Sequence, residues 1–170
     1  MVEFDKHILA ETDRPFQIDT REENCMAVTA MTRQCSRTIE IISRLLDPPI
    51  YDSADFIDAV RQLIVNNRKT KIRVIVFEPD TIVKHGHRLL NLAGDLSSFI
   101  EIRKAHNQHK DYNESLFIAD QVGYVHRSHA ERFEASVNFN DLRRSKHLLT
   151  QFNEMWEVAT QDPNLRRMTI

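Results

Sequence analysis

The sequence has 170 residues and 19.9 kDa, with 41% apolar and 28% charged residues, and its 23 Lys/Arg nearly balance 25 Asp/Glu for a net charge of -2. That length suits a single domain, whose usual size is about 100–150 residues, with a core large enough to need no disulfide or metal staple. The apolar share excludes a disordered chain, 3 Gly and 5 Pro exclude collagen-like or linker compositions, and no apolar run approaches the roughly 18 residues that cross a bilayer.

No basic-then-apolar leader pattern opens the chain, so a cytoplasmic protein without a membrane span is expected. Cys25 and Cys35 fall about 15 Å apart on one predicted helix, too far for a disulfide, and are expected as two thiols. Residues 51–110 carry ten Lys/Arg against seven Asp/Glu, including Arg68, Lys69, Lys71 and Arg73, a run read as a solvated helix-to-strand corner. A pI near 6.4 argues against a nucleic-acid face.

Residues 1–20 mix charges with Pro15 and hold no period, which predicts an irregular arm. Asp19-Thr20-Arg21-Glu22-Glu23 reads as a helix start, and Cys25, Met26, Val28, Ala30, Met31 and Cys35 carry that helix to about Arg37. The β-branched run 38–46 predicts a buried strand, stopped by Asp47-Pro48-Pro49. Ser53 then caps a helix in which Phe56, Ile57, Val60, Leu63 and Ile64 form an apolar stripe. Residues 71–77 make a second strand, Pro79 opens a helix that runs through Leu92 until Gly94 breaks it, and 99–103 make a third strand. This alternation predicts a parallel sheet. After a polar loop at 104–113, three strand-like runs, 115–119, 122–127 and 132–139, are joined by short connections and so should be antiparallel. A helix over 141–160, with Leu142, Leu148, Leu149, Phe152, Met155, Trp156 and Val158 on its apolar side, closes the domain and leaves a tail at 161–170. The expected fold is α/β, a mixed sheet flanked by helices over 21–160.

The stretch Asn113-Glu114-Ser115-Leu116-Phe117-Ile118-Ala119-Asp120, followed by Ser136-Val137-Asn138-Phe139 and a helix, resembles one half of a phospholipase D-like domain. That family carries H-x-K-x4-D, then a G-S-x-N-F-like segment, then a helix, and the order of elements agrees over residues 25–160. Asp120 matches the motif aspartate, and Ser136, Asn138 and Phe139 match the second segment. Asn113 stands in place of the histidine, Ser115 in place of the lysine and Ala135 in place of the glycine. In the family the histidine attacks phosphorus, the lysine binds phosphoryl oxygens and the aspartate orients the histidine. The Asn113 amide has no usable nucleophilic lone pair, and the neutral Ser115 hydroxyl cannot balance developing charge. These departures argue against phospholipase D chemistry.

The chain also resembles an uncharacterised bacterial family of degenerate phospholipase D-like domains, some of which follow a GNAT-type acetyltransferase domain in one polypeptide. The shared stretches are Ser43-Arg44-Leu45 leading to Asp47-Pro48 and Tyr51-Asp52, then Gly86-His87-Arg88-Leu89-Leu90, and Phe152-x-Glu154-Met155-Trp156-Glu157. With 3 Gly in all, the chain lacks an acetyl-CoA pyrophosphate loop and is not itself an acetyltransferase. The resemblance implies a homodimer, since single halves pair, and a functional link to an acetyltransferase.

Asn113, Ser115, Asp120, Ser136 and Asn138 read as one polar set at the C-terminal edge of the sheet, with Arg44 and Arg127 adding positive charge. Such a relic pocket would hold a phosphate-bearing or other polar ligand; the plainer alternative is a cleft kept as hydrogen-bonded structure. His126 could replace the lost nucleophile if its strand turns it toward the pocket, a parity the sequence leaves open. His85/His87, His106/His109 and His126/His129 place no third metal ligand, so neither a metal nor a cofactor is expected. The expected function is a non-catalytic binding or regulatory module, a pseudoenzyme. The alternatives are a phosphodiesterase with a substituted nucleophile and a purely structural interaction protein.

Overall fold

The strands are β1 (Phe16–Ile18), β2 (Thr38–Ile42), β3 (Lys71–Val76), β4 (Ile100–Lys104), β5 (Ser115–Ala119), β6 (Gly123–Arg127) and β7 (Ala135–Asn138). The helices are α1 (Arg21–Gln34), α2 (Pro48–Tyr51), α3 (Ala54–Asn66), α4 (Pro79–His85), α5 (Arg88–Asp95) and α6 (Leu142–Val158). In the computed structural model, which describes residues 3–166, the seven strands form one sheet in the order β1-β7-β6-β5-β2-β3-β4. β2, β3 and β4 run parallel, whereas β5, β6, β7 and β1 join antiparallel. The expected mixed α/β sheet flanked by helices is therefore the one observed.

Alternation along each strand sorts its side chains between two cores. Ile39, Ile41, Val74, Phe117, Val125 and Val137 pack with α1 to α5, while Ile42, Ile75, Leu116, Ile118 and Tyr124 pack against Leu148, Phe152 and Met155 of α6. Burial on both faces explains why β2 and β3 read as near-continuous β-branched runs. The local helix signals act as the sequence predicts. Thr20 Oγ1 accepts from Glu23 N–H at 3.0 Å while Glu23 Oε1 accepts from Asp19 N–H at 3.3 Å, and Ser53 Oγ accepts from Phe56 N–H at 3.2 Å. Cys25 and Cys35 are free thiols. No helix among the described residues is long and apolar enough to cross a membrane.

Several boundaries differ, each for a physical reason. The arm over 1–20 is not irregular throughout: Phe16–Ile18 pairs antiparallel with β7, and Phe4, Leu9 and Ile18 are buried. A three-residue strand is too short for its period to show in sequence. The helix expected from Pro79 to Leu92 divides at Gly86, whose φ of 76° only glycine adopts readily, whereas Gly94 lies inside α5. His87 then starts α5, its Nδ1 accepting from Leu89 N–H at 3.1 Å and its Nε2 donating to Leu46 O at 2.8 Å. Burial lowers the pKa of His87, in keeping with this neutral role. Asp52 accepts from Arg88 N–H at 2.7 Å, so the Tyr51-Asp52 and Gly86-His87-Arg88 stretches are docked on one another. β2 ends at Ile42 because Ser43 turns to bond Asp47 Oδ2 at 2.8 Å and Leu46 takes a φ of 52°. Leu142, expected on the apolar side of α6, is exposed in its first turn.

The His7 ring packs at a tilt, its centroid 4.6 Å from that of Phe16 and 5.3 Å from that of Phe139, and burial, followed by the charge of Arg14, lowers its pKa from 6.5. A histidine with a depressed folded pKa loses stability as pH falls below its unfolded value. The protection factors of Leu9 and Ile18, which remove the intrinsic slowing of amide exchange in acid, are expected to fall between about pH 7 and pH 5, ahead of those in β2 and β3. A fall shared equally by all strands would instead assign the effect to global unfolding.

Candidate binding cleft at the end of the sheet

The predicted site residues divide between the two ends of the sheet. The C-terminal ends of β2, β3, β4 and β6 meet the N-terminal ends of β5 and β7, and this edge holds Arg44, Asn113, Ser115 and Arg127, with Ser136 one residue further in. Ser115 is 2% exposed, and its Oγ donates to Ile42 O at 3.1 Å. Asn113 Nδ2 donates to Glu131 Oε2 at 2.9 Å, a bond that holds the Glu131 carboxyl below its usual range. Arg127, only 3% exposed, is not a free cation. Its Nη1 donates to Asp47 Oδ2 at 2.9 Å, its Nε to Arg132 O at 2.8 Å and its Nη2 to Ala130 O, with its guanidinium carbon 5.0 Å from the Phe133 ring. These bonds curl 130–132 into a turn, which is why β7 starts at Ala135 and not at Arg132. Arg44 lies 4.4 Å over Phe77 and donates from Nη1 to Tyr112 O at 2.6 Å.

Asp120 and Asn138 lie at the opposite end, which corrects their grouping in one polar set. Asn113 and Asp120 flank the whole of β5, and at about 3.3 Å per residue a strand of this length puts them on the order of 20 Å apart. Asp120 closes the junction of α1 and β2 instead. Its carboxylate accepts from Cys35 Sγ at 3.1 Å, from the N–H groups of Ser36, Arg37 and Thr38 at 2.8, 2.8 and 3.1 Å, and from Ser36 Oγ at 3.1 Å. Burial pushes the Asp120 pKa up, but these bonds together outweigh it and leave the carboxyl below its ordinary value. Burial, then Asp120, pushes the Cys35 thiol well up. Asn138 Nδ2 donates to Asp13 Oδ1 at 2.9 Å, and its Oδ1 accepts from Arg14 and Asn140 N–H at 3.2 and 3.1 Å.

Register also places His126. Ser115 pairs with Arg127 and Leu116 with His126, and Leu116 and Tyr124 belong to the core under α6. Asn113, Ser115 and Arg127 therefore turn to the α1 face, whereas Glu114, His126 and Ser136 turn to the α6 face. His126 Nε2 lies 2.5 Å from Glu114 Oε1, and Ser136 Oγ accepts from Gln17 Nε2 at 2.9 Å. A cleft of about 330 Å³ opens there, lined by Gln17, His126, His129, Arg132, Glu134 and Ser136 among others. Ser128, also in its lining, is exposed, as are His129 and Arg132. Sequence reading pairs His129 with His126 only as candidate metal ligands and does not join Glu114, Arg132 or Gln17 to the site, because only strand register brings them together. A histidine backed by a carboxylate can move a proton, and the exposed Arg132, His129 and Ser128 can donate to an anion. No three His, Cys, Asp or Glu side chains among the described residues are arranged to hold a metal ion.

Solved structures share this architecture. An archaeal chromatin protein described by its mode of DNA binding, TrmBL2, superposes with a TM-score of 0.64 at 14% identity over 88% of this chain, which spans about half, 54%, of that one. Nuc from Salmonella typhimurium, a phospholipase D family member, aligns with 86% of this chain and 97% of its own at 15% identity and a TM-score of 0.59. NucT from Helicobacter pylori covers 88% of this chain and 99% of its own at 11% identity and a TM-score of 0.61. No curated protein matches the sequence significantly. Residues 20–168 match the family described as domain of unknown function DUF7931. With that match and this sheet, the chain belongs to the DUF7931 family and carries a phospholipase D-like α/β fold.

Proposed function

We propose that the chain is a non-catalytic phospholipase D-like binding or regulatory module that takes a phosphate-bearing ligand at the cleft beside His126, and that it works as a cytoplasmic homodimer alongside an acetyltransferase. One observation carries the reading: the two substituted signature positions are consumed in structure. Asn113 is bonded to Glu131, and Ser115 is buried against Ile42 O. The family route then lacks both its nucleophile and the cation that balances phosphoryl charge, and groups that act as a unit lose the rate together. The exposed Arg132, His129 and Ser128 remain as donors for an anion. The DNA bound by the archaeal chromatin protein and a phospholipid headgroup share the phosphodiester, which is the chemistry such donors recognise. A pI near 6.4 favours a compact phosphate ligand over a long nucleic-acid face.

The test is hydrolysis of bis(p-nitrophenyl) phosphate in EDTA beside an Asn113→Ala control, together with thermal shifts in inorganic phosphate. Expected are no turnover and a saturable stabilisation that Arg132→Ala weakens. Turnover that disappears in Asn113→Ala would overturn the reading. A second reading, a phosphodiesterase with a substituted nucleophile, is favoured by the 2.5 Å contact between His126 and Glu114. It requires turnover that His126→Ala abolishes, and unchanged activity in that variant would end it.

A further inference from the structure

A second cleft, of about 340 Å³, lies at the other end of the sheet near Thr38 and Gln121, and its lining includes Glu40, Lys71, Arg73 and Trp156. It is independent of the reading above. Glu40 interrupts the apolar run of β2, and the parallel pairing sets it opposite Arg73, which in turn faces Glu101 of β4. The Glu40 side chain is 2% exposed. Its Oε2 stands 3.5 Å from Arg73 Nη2, a long contact, and its Oε1 has no partner among the described residues. A buried carboxylate oxygen left unpaired is costly and calls for an explanation.

The surroundings supply one. Arg73 has five N–H donors and, among the described residues, spends them only on that long contact, while its guanidinium carbon packs 4.9 Å from the Phe152 ring and 5.6 Å from the Trp156 ring. Lys71 Nζ gives one donor to Ser98 O at 3.1 Å and keeps two. Glu101, which also lines the cleft, makes no ion pair with Lys71 or Arg73; its Oε2 accepts from Arg103 Nε at 2.6 Å and from Gln161 Nε2 at 3.2 Å. The cleft thus offers an unpaired carboxyl acceptor, unspent cationic donors beside it and an indole wall. Once ionised, Glu40 would repel a simple anion, and Lys71 and Arg73 repel a simple cation. A molecule bearing both an ammonium and a carboxylate satisfies all three.

We infer that this cleft binds a small zwitterion of the α-amino acid class, its ammonium on Glu40 and its carboxylate on Arg73 and Lys71. Trp156 is the only tryptophan in the sequence, so its fluorescence reports occupancy directly. The experiment titrates the purified full chain with the free L-amino acids, and with their N-acetyl and carboxamide derivatives, while following that signal. At least one free amino acid should give a saturable change, and blocking either end should weaken it by about tenfold or more. Glu40→Gln and the surface variant Lys71→Ala should each weaken it comparably, with the cooperative thermal transition retained. No saturable change with any free amino acid at millimolar concentration would overturn the proposal. So would binding that survives the blocked derivatives or both substitutions.

Discussion

Glu40→Gln is expected to stabilise the fold by about 2–3 kcal/mol at about pH 8 and to change it little at about pH 5. Burial pushes the Glu40 carboxyl up from 4.5 to about 7, and the opposing attraction of Arg73 only partly offsets that. In the unfolded chain the same group gives up its proton near 4.5. Between these two values the folded state binds more protons than the unfolded one, so the wild type loses stability as pH rises and levels off above the folded value. Glutamine keeps the shape of the protonated acid and cannot ionise, so the variant escapes that loss. Urea midpoints of both proteins at the two pH values decide the matter. A variant less stable than the wild type at the higher pH would show that Arg73 holds Glu40 as a firm ion pair. The same variant separates binding from folding at the second cleft, because a protein that is more stable and yet fails to bind has not lost its fold.

Arg127→Ala is expected to cost about 3–5 kcal/mol, the range for removing one partner of a buried ion pair. Arg127 is 3% exposed and joins Asp47, Ala130 and Arg132 in one hub. Its removal leaves the half-buried Asp47 carboxylate with only its bond from Ser43 Oγ, frees two carbonyls and empties the space over Phe133. A Met at this position would restore packing but not the bonds, and should recover only part of the loss. Pairing Arg127→Met with Asp47→Asn, which discharges the stranded partner, should recover more. Chemical denaturation of the three variants measures these steps. A loss below about 1 kcal/mol together with weakened phosphate binding would return Arg127 to the role of a ligand-binding cation, as at an exposed site.

The candidate site was legible only in part, and Arg127 shows why. An arginine at the end of a strand, next to a turn rich in polar residues, reads as a solvated cation. Its partner Asp47 lies 80 residues away, and nothing local records that the two meet. Asp120 shows the reverse case. Its motif position is visible in the sequence, but whether it joins Asn113 depends on the strand between them being extended, which sends its carboxylate to Ser36, Arg37 and Thr38 at the far end. Glu40 stood inside an apolar run with no sign of what it faced until β3 set Arg73 beside it.

The sequence by itself determined what short-range chemistry dictates. The caps at Thr20 and Ser53, Pro79 at a helix start, the β-branched runs of β2 and β3 and the short links among β5, β6 and β7 specify the element order and the mixed sheet. The resemblance carried by residues 113–120 sets Asn113 and Ser115 against the histidine and lysine of the phospholipase D-like motif. Only the tertiary structure decided which side chains share a cleft. The pleat sends neighbouring residues to opposite faces, so one step of register determines whether His126 meets Ser115 or Glu114. That step is set by which strands pair and by where α6 covers the sheet, through contacts between residues far apart in the chain.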